Sequence, residues 1–103
     1  MLEQHTILLT QHSESPSSKV WDDYEGLSQA IDGVIQMFER ELKKSNPDKR
    51  QITYDIKDLF AYVDELTDLG IMQLDPERHA YNSKGMKWIK REILNHLKEQ
   101  ANG

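Results

Sequence analysis

The side chains able to bind a metal or move a proton are few, and their spacing does not suit either task. Four histidines, His5, His12, His79 and His96, include no pair at the His-x-His or i to i+4 spacing that presents two imidazoles to one ion. On a strand, His5 and His12 would face opposite ways, being seven residues apart. The chain has no cysteine, which excludes a disulfide framework and a thiolate zinc site and makes an intracellular setting the expectation. Asp64 and Asp68 would lie one turn apart on a helix, where two carboxylates can share acid–base work, although such a pair more often faces water. Without a glycine-rich phosphate loop or a nucleophile–base arrangement, catalysis has nothing to build on. The expectation is a non-enzyme with no metal and no cofactor.

The residues better suited to recognition are aromatic. Trp21 and Trp88 stand where helices are expected to begin, positions at which a large ring anchors a helix to the core or offers a surface to a ligand. Tyr54 and Tyr81 read as core or edge residues with hydroxyls reaching solvent. The net charge of −5 argues against a dominant nucleic-acid footprint. The charge is nonetheless uneven, with Asp55, Asp58, Asp64, Glu65, Asp68, Asp75 and Glu77 in the third quarter, and Lys84, Lys87, Lys90, Arg91 and Lys98 toward the end. A solvated helix face, with cations favoured near a helix C-terminus, accounts for that basic segment.

These residues must be carried by one small domain spanning 1–103, since 103 residues leave no room for two cores. The apolar run Ile7, Leu8 and Leu9 is too short for a signal peptide or a membrane span, and no membrane association is expected. His5 to Gln11 reads as a strand with Ile7 and Leu9 on one face and Leu8 on the other. Residues 12–20, rich in serine, read as a mobile loop. From Trp21 to Lys44, apolar residues at Tyr24, Leu27, Ile31, Val34, Ile35, Phe38 and Leu42 predict a long helix, with Asp22, Asp23 and Glu25 at its positive end and Asn46 and Pro47 stopping it. Within it, Gly33 beside Ala30 is either a tolerated glycine or a place where another backbone approaches closely. A second helix is expected from Asp55 to Thr67, capped by Thr53 or Asp55 and ended by Gly70. Ile71 to Leu74 and His79 to Tyr81 read as a hairpin about a turn at Asp75 to Arg78. Asn82 or Ser83 would cap a third helix carrying Met86, Trp88, Ile89, Ile93, Leu94 and Leu97. The predicted fold is α+β in the order βααββα, with a small, mostly antiparallel three-stranded sheet and three helices on one face.

Several strings are also familiar. His5-Thr6-Ile7-Leu8-Leu9 with Gln11, Trp21 with Asp23-Tyr24-Glu25, and Ile52-Thr53-Tyr54-Asp55-Ile56 closely resemble the enhancer of rudimentary family, as do Leu59-Phe60, Asp64, Leu66, Asp68-Leu69, Tyr81 and Trp88-Ile89-Lys90. The likeness runs through nearly the whole chain in order. It departs at Ser83 and Lys84, where many members have Pro followed by Tyr or His, and at Val20 and Gly26, where members carry the Ser or Thr of acidophilic kinase sites. The resemblance implies a homodimer joined through its sheets, no enzymatic activity, and a nuclear, and also cytoplasmic, role in RNA metabolism. It further implies binding of short segments of RNA-processing or RNA-decay proteins, with RNA reached only indirectly, and links to pyrimidine metabolism and the cell cycle.

Two residue-level expectations follow. Helices on one side of the sheet leave Ile7 and Leu9 on an apolar face that a lone chain seldom exposes, so these two are assigned to the dimer interface. Trp21 and Tyr24, near the first strand and the start of the first helix, are assigned to partner binding. The alternatives are a direct nucleic-acid binder using the basic last helix and a regulatory subunit linked to pyrimidine metabolism.

Overall fold

The computed structural model describes residues 5–102, so residues 1–4 and 103 of the expected 1–103 domain lie outside the described residues. Four strands and three helices follow one another as β1 (Thr6–Gln11), β2 (Lys19–Tyr24), α1 (Leu27–Ser45), α2 (Ile56–Glu65), β3 (Asp68–Asp75), β4 (Ala80–Lys84) and α3 (Met86–Asn102), with a short 3-10 turn at Pro16–Ser18. The strands form one sheet in the order β2-β1-β3-β4, and every neighbouring pair is antiparallel. The fold is therefore a small α+β domain with four strands, one more than expected.

The additional strand is β2. Lys19 and Val20 belong to it rather than to the 12–20 loop, and Trp21 to Tyr24 belong to it rather than to the first helix. As an edge strand it is exposed over nearly its whole length, so neither face imposes an apolar alternation on its sequence. The loop before it is organised by serines: Ser18 Oγ donates to the carbonyls of Ser15 (2.7 Å) and Ser13 (3.0 Å), while Ser13 N–H donates back to Ser18 Oγ.

Helix α1 begins only at Leu27, after Gly26, whose carbonyl accepts the Ala30 N–H. Asp22, Asp23 and Glu25 consequently lie ahead of the helix, and its first turn holds no acid. Its end is as expected: Lys43 and Lys44 occupy the last turn, and the side-chain amide of Asn46 donates to the Leu42 carbonyl at 3.0 Å. Asp55 caps α2, accepting the Lys57 and Asp58 N–H groups, while Asp58 Oδ2 accepts the Asp55 N–H. The helix stops at Glu65, however, and Gly70 lies within β3. Asn82 and Ser83 do not cap α3. They are in β4, and the first α3 carbonyl acceptor is Gly85, bonded to the Ile89 N–H.

The core lies between the sheet and a helical layer on one of its faces. Leu8 of β1 and Leu69 and Ile71 of β3 point into it, and meet Ala30, Ile31, Val34, Ile35 and Phe38 of α1, Leu59 and Val63 of α2, and Ile89 and Ile93 of α3. Thr6 and Thr10 flank Leu8 on the same face and are fully buried. Polar ties join the helices at the rim: His96 Nε2 lies 2.8 Å from Asp32 Oδ1, linking α3 to α1, and Lys90 pairs with Asp64 while lying over the Phe60 ring, linking α3 to α2. Asp64 is thus on α2 and Asp68 opens β3, so the two do not form a carboxylate pair one helical turn apart. No helix among the described residues is long and apolar enough to cross a membrane.

Candidate functional site

Strand alternation divides the sheet into two unlike faces. Residues in register across an antiparallel pair share a face, so the pairings Leu9 with Trp21 and with Gly70, Ile7 with Asp23 and with Met72, and Leu74 with Tyr81 place one set of side chains opposite the core. That outer face carries Ile7, Leu9, Trp21, Met72, Leu74 and Tyr81. Trp21 is 55% exposed and Tyr81 42% exposed, high values for rings of this size, while Ile7 and Leu9 between them are half-buried by their neighbours.

Gly70 forms the floor of a groove on this face. The groove has a volume of about 340 Å³ and is bordered by Leu9, Trp21, Met72, Ser83 and Lys84. A Cβ at Gly70 would meet only the Lys84 carbonyl, at 3.7 Å, so the missing side chain leaves the hollow open without relieving any contact inside the chain. Charged groups edge the apolar strip. At one end His5 Nδ1 shares a hydrogen bond with the Tyr81 hydroxyl at 2.9 Å, and His5 Nε2 lies 3.4 Å from Asp23 Oδ1. At the other end Lys19 and Asp68 flank Gln11 in register.

The structure therefore brings Ile7, Leu9 and Trp21 together and sets Tyr24 apart. Tyr24 is in register with Thr6, on the core face of β2, and its ring lies against α1. A Cβ built on Gly33 would stand 2.3 Å from the Tyr24 hydroxyl and 2.8 Å from its Cζ, so Gly33 makes room for this ring. The close approach at Gly33 is that of a side chain, not of another backbone. Burial, followed by the nearby Asp22 carboxylate, pushes the Tyr24 hydroxyl above its ordinary pKa of 10.0, against a smaller opposing effect of Arg40. Trp21 and Tyr24 do not line a common groove.

Met72, Leu74, Tyr81 and Gly70 complete the face but were not singled out as site residues from sequence. The signal that could have found them is the same alternation used for Ile7 and Leu9, carried across a correctly bounded β3. Among the described residues no three His, Cys, Asp or Glu side chains cluster as metal ligands.

The sequence of the whole chain, including the strands that build this face, matches a known family. The family model described as enhancer of rudimentary covers residues 2–103. An enhancer of rudimentary homolog from Arabidopsis thaliana is 42% identical over 100 residues, covering 97% of this chain and 92% of the relative. The Dictyostelium discoideum homolog is 41% identical over 97 residues, covering 94% and 97% of the two chains. Enhancer of rudimentary homolog 1 of Schizosaccharomyces pombe is more distant, at 26% identity over 97 residues. With the match running from end to end at this identity, the chain belongs to the enhancer of rudimentary family.

Proposed function

We propose that this protein is a homodimeric, non-enzymatic adaptor that joins two chains through the outer face of the sheet and binds short segments of RNA-associated proteins in the nucleus. The observation that carries the reading is the apolar strip of Ile7, Leu9, Trp21, Met72, Leu74 and Tyr81, with the hollow over Gly70, on a face that no helix among the described residues covers. A large exposed apolar patch rimmed by polar groups marks an interaction surface. The strip spans all four strands, which suits a second copy of itself, since a two-fold contact uses one self-complementary patch. The resemblance to the enhancer of rudimentary family supports the same reading, and RNA-processing or RNA-decay proteins are the partner class we propose.

The acidic balance of the chain disfavours direct phosphate binding, and RNA is then reached through the partner. Affinity purification from nuclei, with and without ribonuclease before elution, tests this. Partners retained after ribonuclease treatment are expected. Their complete loss, together with submicromolar binding of generic single-stranded RNA by the purified chain near physiological salt, would favour the direct nucleic-acid binder instead.

A further inference from the structure

On the outer face of the sheet, the row of residues at the level of Leu9 is lopsided. From β2 toward β4 it reads Trp21, Leu9 and Gly70, and Gly85 comes next, one residue beyond the last β4 pairing of Ile71 with Lys84. Two large apolar side chains thus occupy one half of the row and two glycines the other, and all four border the same hollow. Neither glycine relieves strain or a clash within the chain. Neither has a positive φ. A Cβ on Gly70 would make an ordinary contact, 3.7 Å from the Lys84 carbonyl oxygen, and one on Gly85 would meet nothing within 4 Å. A glycine inside a strand weakens it, and one that the local fold does not require marks a place where another group comes close.

A second copy supplies what this row lacks. An isologous contact applies one two-fold operation to one patch, and sheets packed face to face lie about 10 Å apart with their strands aligned to within about 30°. A two-fold axis parallel to the strands, between β1 and β3, turns the row end for end. It lays Trp21 and Leu9 of each copy over Gly85 and Gly70 of the other, large on small on both sides of the axis, and covers the Trp21 ring that a single chain leaves more than half exposed. The charges one row along obey the same operation. Lys19 and Asp68 stand on either side of Gln11 in register, and neither forms an ion pair among the described residues. The axis brings each Lys19 beside the other copy's Asp68. An axis across the strands would instead set like against like: Trp21 over Trp21 when centred on the Leu9 row, and Asp23 over Asp23 when centred on the Ile7 row.

We infer that two copies of the chain close on each other by a reciprocal lock, in which Trp21 of each seats in the hollow over Gly70 and Gly85 of the other, and Lys19 with Asp68 pairs at the rim. The lock deepens the dimer reading and rests on it. It also makes the contact selective, since a second chain must offer both the ring and the hollow.

Two variants mixed in solution test the lock between chains. Trp21→Ala leaves both hollows empty and Gly70→Leu fills both, so each chain alone should dimerise on the order of a hundredfold more weakly than wild type. In a mixed pair, Trp21 of the Gly70→Leu chain meets the open hollow of the Trp21→Ala chain, and the added leucine faces the gap that the missing ring leaves. Refolded together, with one chain isotope-labelled, they should give mixed dimers as about nine-tenths of all dimers by native mass spectrometry, where chance gives half. A second arm uses the wild-type sequence: labelled and unlabelled chains mixed and treated with a carbodiimide should yield a Lys19 to Asp68 link of mixed isotope mass, which only two different chains can form. Mixed dimers at the chance proportion, a Trp21→Ala chain that dimerises as tightly as wild type, or a mixed-mass link from Lys19 to Asp23 in place of Asp68 would each overturn the lock while a dimer still stands. Should either variant fail to fold by circular dichroism, the cross-link decides, and its absence from a wild-type dimer overturns the lock. A wild-type chain of monomer mass would remove the dimer reading and the lock with it.

Discussion

Replacing Gly33 by Ala sets two opposing effects against each other at one atom. In an exposed helix interior the change removes the conformational penalty of glycine and stabilises by about 1 kcal/mol. Here the new methyl would stand 2.3 Å from the Tyr24 hydroxyl and 2.8 Å from Cζ, both well inside van der Waals contact. The ring is rigid, so the hydroxyl cannot bend away alone, and the whole side chain must swing off α1 or β2 must lift with it. Overpacking of this kind costs about 1–3 kcal/mol, so the net expectation is a loss of about 1 kcal/mol. In a Tyr24→Ala background the obstacle is absent, and Gly33→Ala should then stabilise by about 1 kcal/mol. The double-mutant cycle thus carries a coupling of about 2 kcal/mol. Urea denaturation followed by circular dichroism at one fixed protein concentration measures all four chains. A Gly33→Ala chain more stable than wild type, by the same amount in both backgrounds, would refute the packing of Tyr24 on Gly33.

Three further outcomes are expected. Asp55→Ala removes the side chain that accepts two N–H groups at the start of α2 and should lower stability by about 1 kcal/mol in the same assay. Burial and the hydrogen bond to Glu39 push the Tyr54 hydroxyl from 10.0 up to about 12. Because the folded-state pKa is raised, the stability it contributes is complete below pH 10 and is lost as pH rises through 12. Tyr54→Phe should therefore remove an absorbance step near pH 12 at 295 nm, and removal of a step near pH 10 would refute the assignment. Ile7→Arg combined with Leu9→Arg places two charges on the proposed interface and should yield a chain of monomer mass, while a dimer of unchanged mass would exclude that face.

Much of this fold is readable from residue type and spacing. The 3.6-residue repeat of Leu27, Ile31, Val34, Ile35 and Phe38 marks α1, because that stripe does face the core. The capping role of Asp55 follows from its side chain alone. The edge strand β2 escapes detection because its side chains contact little, and because Tyr24 continues the apolar phase of α1 while reaching the same helix from a strand. A partner strand three-dimensionally adjacent but exposed on both faces leaves no periodic trace.

The outer face is half legible for a related reason. Ile7 and Leu9 declare themselves by opposing Leu8 on one continuous run. Gly70, Met72 and Leu74 join them only once β3 is known to start at Asp68 and to pair with β1 in register. Gly70 reads as a helix stop in the sequence because a glycine after an amphipathic stretch usually is one.

Coverage of the outer sheet face by a second copy of the chain, as proposed, is tested most directly by the solution mass. Light scattering of the purified wild-type protein at micromolar concentration should give twice the 12.1 kDa chain mass, independent of dilution across that range. A mass of 12.1 kDa would contradict the claim and leave the exposed Trp21 and Tyr81 to some other partner.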